Sequence, residues 1–315
     1  MPTRRIFLQQ SGVSALAFPA IAKAQTSKRQ MTLVVPYPPG GSNDVIGRVV
    51  AQGLAAQLGE SVVVENRAGA NGTIGAQYVA QAPADGRTLL YSQGNLLINQ
   101  EFMMKNGFKV LESLAPVART CFIPSIISAS VNFPANNLRE LIELAKKSPG
   151  KYSFVYYGDL GITALTSAAK IELLRIPYKG GSAVTDVIAG TVDLMTNSFT
   201  AGLPLVRGGK LKIMAVNAES RLAEFPEVPT IKEVLPGYLE VDYQGIFAPK
   251  NTPRTELAAL EEQVLKLLAK PEMKQAISER NAVPNPMPSK ELVVFMTEDR
   301  ARISKTIAGA GIQAE

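Results

Sequence analysis

Residues 31–58 read as a strand that passes through a glycine turn straight into a helix, and the same arrangement recurs about 120 residues further on. Met31 to Val35 is short, apolar and rich in branched residues, as a buried strand is. Val45, Ile46, Val49, Val50, Leu54 and Leu58 then recur at helical spacing up to Gly59. Between them stands PYPPGGSND. Pro36, Pro38 and Pro39 hold φ fixed and offer no N–H, so the link is stiff, whereas Gly40 and Gly41 let another group approach the main chain. Ser42 or Asn43 is a natural N-cap. Such a turn leaves N–H groups and a partial positive charge at the carboxyl end of a strand, where open α/β sheets bind ligands. The ligand that fits is an anion, although any βα turn favours glycine and a cap.

Ser61 to Glu65 is a second strand, and the βαβ unit it closes should be parallel and right-handed. In NRAGANGTIGAQYVAQ the glycines Gly69, Gly72 and Gly75 stand three apart. This is not G-x-G-x-x-G, and no G-K-[ST] follows a glycine loop, so the stretch reads as a tight turn with close helix packing. Asp85-Gly86 turns the chain into a strand, Thr88 to Tyr91, with Ser92-Gln93-Gly94-Asn95 as a polar loop at its carboxyl end. That loop lies beside Pro39 and Gly40 if the first and third strands are neighbours.

The pattern restarts with a strand, Ser125 to Ser130, and a helix, Leu138 to Lys147. Tyr152 to Tyr157 is a strand, Gly158-Asp159-Leu160-Gly161 a glycine turn, and Thr163 caps a helix running through Leu174. Strands at Ile176–Tyr178, Val192–Met195 and Lys212–Asn217 follow, separated by the loop Lys179–Ser182, a helix to Gly190 and a helix near Leu203. Val241 to Pro249 reads as a return crossing. The tail is helical, with Leu257, Leu260, Val264, Leu267 and Leu268 on one stripe and a further helix from Ser289 to Ile307. The expectation is an α/β protein of two Rossmann-like lobes, residues 25–124 with 245–315 and residues 125–244, joined by a two-segment hinge near 125 and 245.

The N-terminus, MPTRRIFLQQSGVSALAFPAIAKAQ, has a basic start, a modest apolar centre and Ala22-Lys23-Ala24 as a small-x-small cleavage site. Residues 1–24 are therefore expected to be an export signal. Thr3-Arg4-Arg5-Ile6-Phe7-Leu8-Gln9 resembles a twin-arginine signal, though a Sec signal can also carry two arginines. Its removal deletes Arg4, Arg5 and Lys23 and lowers the formal net charge from +6 to +3. So dilute a charge argues against a nucleic-acid surface, and no uninterrupted apolar run reaches membrane-spanning length. Cys121 is alone, so no intramolecular disulfide forms, and in ARTCFIPSII it reads as a small buried hydrophobe. The chain has no histidine, which removes the commonest general base and histidine-ligated metal. No catalysis, cofactor or metal is expected.

VVPYPPGGSND, VVVENRAGANGTIGAQYVAQAPADGRTLL, LRELIELAKKSPGKYSFVYYG, IPYKGGSAVTDVIAGTVDLM, VRGGKLKIMAVNAESRLAEFPEVPTIKEVLPGY and GIFAPKNTP together resemble the Bug, or TctC, family of extracytoplasmic solute receptors of tripartite tricarboxylate transporters. The resemblance spans nearly the whole chain after the signal, in family order. It implies a type II periplasmic binding-protein fold, a Venus flytrap whose lobes close on a carboxylated small molecule in the periplasm, with membrane permease subunits as partner. It implies that Tyr37, Pro38, Pro39, Gly40, Gly41 and Asp44 form the first carboxylate loop, with Ser92 and Asn95 beside it. In the second lobe Gly158, Asp159, Gly161 and Thr163 take the corresponding place. There the family pattern G-S-x-G-x-G-S/T-x-x-H-L is not kept: this chain reads Gly158, Asp159, Leu160, Gly161, Ile162, Thr163 and lacks the histidine.

The expected protein is thus a monomeric periplasmic receptor handing a carboxylate to a permease. Two other classes stay open: a receptor of the same fold that signals to a sensor protein, and a secreted enzyme built on it, against which the missing nucleotide motifs and histidine weigh. Asp159 bears on the ligand. Turned outward or paired with Lys179, it leaves an ordinary carboxylate as ligand. Facing the cleft, it calls for a ligand with an amine, amide or hydroxyl group beside its carboxylate.

Overall fold

The computed structural model describes residues 30–104, 108–156, 161–178, 183–218, 220–236, 238 and 242–309. The expected export signal, Tyr157, the turn residues Gly158, Asp159 and Leu160, and the loop 179–182 lie outside the described residues.

The chain begins with β1 (Gln30–Val35), α1 (Ser42–Leu58), β2 (Ser61–Asn66), α2 (Thr73–Ala80), β3 (Thr88–Gln93), α3 (Gly94–Met103), α4 (Val110–Ser113) and β4 (Leu114–Phe122). It continues with β5 (Ser125–Ser130), α5 (Leu138–Lys147), β6 (Ser153–Tyr156), α6 (Gly161–Ala169), β7 (Leu174–Pro177), α7 (Ala183–Ala189), β8 (Leu194–Ser198), α8 (Phe199–Arg207), β9 (Leu211–Asn217) and α9 (Ile231–Val234). It closes with β10 (Tyr243–Pro249), α10 (Arg254–Ala269), α11 (Pro271–Ser278), β11 (Val283–Pro288) and α12 (Ser289–Gly309).

These strands form two sheets, ordered β2-β1-β3-β10-β4-β11 and β7-β6-β8-β5-β9. The two share one plan. The first βαβ pair is parallel in each, β1 with β2 and β6 with β7, and the next strand joins parallel on the other side. One strand, β10 or β5, is then inserted antiparallel. Each inserted strand follows directly on a passage of the chain from one sheet to the other. The passages touch: the Ile123 N–H donates to the Asp242 carbonyl at 2.8 Å.

Both faces of the first sheet are covered, so its central strands are near-continuous apolar runs. Alternation assigns the faces. Leu33 and Val35 pack with Ile46, Val50 and Leu54 of α1 and with Val264, Leu267 and Leu268 of α10, while Val34 packs with Val79, Leu97, Leu292 and Met296 of α2, α3 and α12. Each such side chain contributes about 1.5–3 kcal/mol by leaving water. The second sheet repeats this, with Phe154 facing α5 and α6 and Val155 facing α7. Cys121 is fully buried in the first core, and burial pushes its thiol up to about 11, so it is inert.

Some elements differ from expectation. The helix expected through Leu174 stops at Ala169, where Lys170 takes a left-handed φ of +51°, and Leu174 opens β7. Thr163 lies inside α6 and does not cap it. Neither β4 nor β11 stands out in sequence. In β4, LAPVARTCF, Pro116 and Arg119 interrupt the apolar run, and β11, VPNPMP, carries three prolines that an edge strand tolerates because, among the described residues, no strand pairs with its outer side.

Candidate ligand site

Because β1 and β3 are adjacent and parallel, the turn after Val35 and the residues Ser92–Asn95 lie side by side. No loop separates β3 from α3: the strand runs through Gln93 and the helix starts at Gly94. The end of α1 differs from expectation too. Gly41 is its N-cap and no side chain caps it. Ser42 and Asn43 are occupied elsewhere, Ser42 Oγ accepting from Gln244 Nε2 at 3.2 Å and Asn43 Nδ2 donating to Gln93 Oε1 at 3.0 Å. No N-cap side chain therefore occupies the end of α1, although the Asp44 carboxylate in its first turn offsets part of the dipole, which is worth about 0.3–1 kcal/mol to an anion.

Asp44 is committed to the turn itself. Its Oδ2 accepts the Gly40 N–H at 3.0 Å, and its Oδ1 accepts from Asn66 Nδ2 at 2.9 Å and pairs with Arg48 at 2.9 Å. Asn66 Nδ2 also donates to the Tyr37 carbonyl at 3.0 Å. Burial pushes the Asp44 carboxyl upward, but the hydrogen bonds from Arg48, Gly40 and Asn66 outweigh it and hold the group below the usual carboxylate range. The result is a braced turn in which Gly40 sits at φ +89°, a conformation that favours glycine. Pro38, Pro39, Gly40 and Gly41 are exposed on it.

The Tyr37 side chain folds inward. Its hydroxyl is buried next to that of Ser92 with no hydrogen bond formed by either, and burial raises the phenol far above its ordinary value. Gly72 makes room for it: at φ +95°, a Cβ there would stand 2.9 Å from the Tyr37 hydroxyl. A Cβ on Gly75 would stand 2.7 Å from that of Pro36. The spaced glycines thus pack the α2 region against the turn.

Asn95, in the first turn of α3, is 3% exposed and donates through Nδ2 to Asp242 Oδ1 at 2.6 Å, while its Oδ1 is buried without a partner. Asp242 is a residue that sequence reasoning missed. Its only signal was a lone acid opening the return crossing, VDYQG. Burial raises its carboxyl to about 6, opposed by hydrogen bonds from Asn95 and Gln93 and reinforced by the nearby Asp299. Asp299 of α12 is itself raised by burial and bonded to Arg302.

In the second sheet, β6 is described to Tyr156 and α6 from Gly161, so Gly158 and Asp159 lie outside the described residues. Gly161 opens α6, and Thr163 is 1% exposed with an unpartnered hydroxyl. Helix α6 packs against α12, which carries Asp299 and Arg302. The N-terminus of α8 is closed by Ser198, which accepts from Ala201 N at 3.3 Å. Among the described residues no cluster of histidine, cysteine or acidic side chains could hold a metal ion, and no helix is long and apolar enough to cross a membrane.

The model of the tripartite tricarboxylate transporter family receptor matches residues 46–312. Among solved structures, the periplasmic binding protein BugD is similar at 31% identity and TM-score 0.80, covering 91% of this chain and 99% of its own. An R. palustris protein solved with adipate is 28% identical with TM-score 0.82, at 91% and 99% coverage. MatC from Rhodopseudomonas palustris with bound malate is 26% identical with TM-score 0.76, at 92% and 100% coverage.

Proposed function

The chain belongs to the tripartite tricarboxylate transporter receptor family, and on that premise we propose that it is exported, captures a small carboxylated metabolite between its lobes and delivers it to a membrane permease. The fold is the two-lobed α/β type II architecture of the periplasmic binding proteins, with carboxylates bound in structural neighbours. One observation carries the reading for this chain: the α1 N-terminus is uncapped, and the buried hydroxyls of Tyr37 and Ser92 beside it have no partner. Buried polar groups without partners are costly, and a bound carboxylate with its ordered water supplies what these lack. Tyr37, Gly41 and Ser92 are the contacts we assign in the first lobe, with Gly158, Asp159, Gly161 and Thr163 as the expected contacts of the second. Asp44 acts behind them by bracing the turn.

A thermal-shift series of linear dicarboxylates, with and without hydroxyl or amino substituents, tests this. A ligand that binds only the native state adds RT ln(1 + [L]/Kd), about 2.7 kcal/mol at a hundredfold excess. A shift of several degrees with at least one carboxylate is expected. A folded protein whose transition no carboxylate moves would refute the reading.

A further inference from the structure

Two chains of side-chain amides run outward from the Asp242 carboxylate. In one, Asn95 Nδ2 donates to Asp242 Oδ1 at 2.6 Å. In the other, Gln93, whose side chain lies near enough to Asp242 to lower its pKa, accepts through Oε1 from Asn43 Nδ2 at 3.0 Å. An ionised carboxylate only accepts, so every amide bonded to it must turn its NH2 inward and its oxygen outward. Each chain accordingly ends in a carbonyl oxygen with no partner, Asn95 Oδ1 and Asn43 Oδ1, on residues that are 3% and 5% exposed. Those residues stand in the first turns of α3 and α1, the helices that follow the adjacent parallel strands β3 and β1. Asp242 also lies close enough to Tyr37 to act on its phenol electrostatically.

We propose that Asp242 is a positioning residue that sets the polarity of the amides on the first-lobe wall of the site, so that the receptor selects carboxylates carrying a hydroxyl or ammonium donor over unsubstituted ones. The inference rests on the receptor reading above. An unsubstituted carbon chain leaves both carbonyl oxygens without a donor, whereas a hydroxyl or ammonium group next to the carboxylate supplies one. Sites built to hydrogen-bond a ligand O–H or N–H discriminate strongly against the analogue lacking it, because the buried acceptor is left unpaired.

The test is calorimetric titration of the mature protein with succinate, malate and aspartate. Wild type is expected to bind malate or aspartate about tenfold to a hundredfold tighter than succinate. Asp242→Asn both donates and accepts, so Asn95 and Gln93 are free to turn round, and the ratio should fall towards one. Asn95→Ala removes one acceptor while leaving Asp242, should compress the ratio as well, and carries the test if Asp242→Asn does not fold. Equal wild-type affinity for succinate and the substituted acids, or an undiminished ratio in a folded variant, would overturn the inference while leaving the receptor reading intact. A wild-type protein that binds no carboxylate of any kind would take both down.

Discussion

The Asp44 carboxylate accepts the Gly40 N–H at 3.0 Å, closing the β1–α1 turn from within the helix that follows it. The same side chain holds Asn66 and Arg48, so one buried acid fixes the turn, the end of β2 and the first turn of α1 together. Asp44→Ala should therefore loosen the turn and weaken ligand binding, and lose about 1.5–3 kcal/mol of stability, the usual worth of hydrogen bonds to a charged group. Urea unfolding checks the stability, and titration of any carboxylate found in the thermal screen checks the affinity. Because the folded pKa is depressed, this stabilisation is present above the unfolded value of about 3.9 and disappears as pH falls through the lower folded value. The stability gap between wild type and mutant should close in strong acid.

Gly41 and Gly72 separate ligand contact from folding. A Cβ on Gly41 meets nothing nearer than the Pro38 carbonyl oxygen at 3.9 Å, and its φ of −77° suits any residue. Gly41→Val should cost only the change of N-cap residue, a few degrees of melting temperature, and weaken carboxylate binding at least about tenfold, since the new side chain stands at the open helix end. Gly72→Ala collides with Tyr37 at a positive φ, and should lower the melting temperature by several degrees, a loss of about 1–3 kcal/mol. Calorimetric melts and titrations of both mutants read the two effects, and a Gly41→Val protein with wild-type affinity would remove the α1 end from the site.

Asp242 makes stability depend on pH in the opposite sense to Asp44. Its folded pKa, near 6, stands above the unfolded value of about 3.9, so between these the native state holds a proton that the unfolded chain releases. Stability should fall as pH rises from about 4 to 6 and flatten beyond. The buried Asp299 adds to the same slope, while Arg302 opposes it. Asp242→Asn should remove close to one proton from the slope, measured by urea unfolding at intervals across this range.

The hydrogen bond between Ile123 and Asp242 ties together the two passages between the sheets. Rotation about this pair is the simplest way for the lobes to close on a ligand. Small-angle scattering should show a smaller radius of gyration at saturating carboxylate. A radius that stays constant while calorimetry shows binding would exclude closure at these passages.

The sequence by itself determined the units. The short, branched apolar run Met31–Val35, helical spacing from Val45 to Leu58 and the Gly59 stop placed β1 and α1 almost to the residue, and the spans of β5 and α5 match those expected. Local steric preference and burial of one face act within a few residues, so they leave a local signature. The glycine turn that joins β1 to α1 was legible for the same reason. Tertiary structure decided the rest. Strands β4 and β11 exist because neighbours supply their hydrogen bonds, and Asp44, which the family resemblance implies as a ligand contact, braces its own loop. Asp242 reaches Asn95 across 147 residues of chain. Nothing near VDYQG announces that partner, because the polarity of a buried amide is set by whichever group folding brings against it.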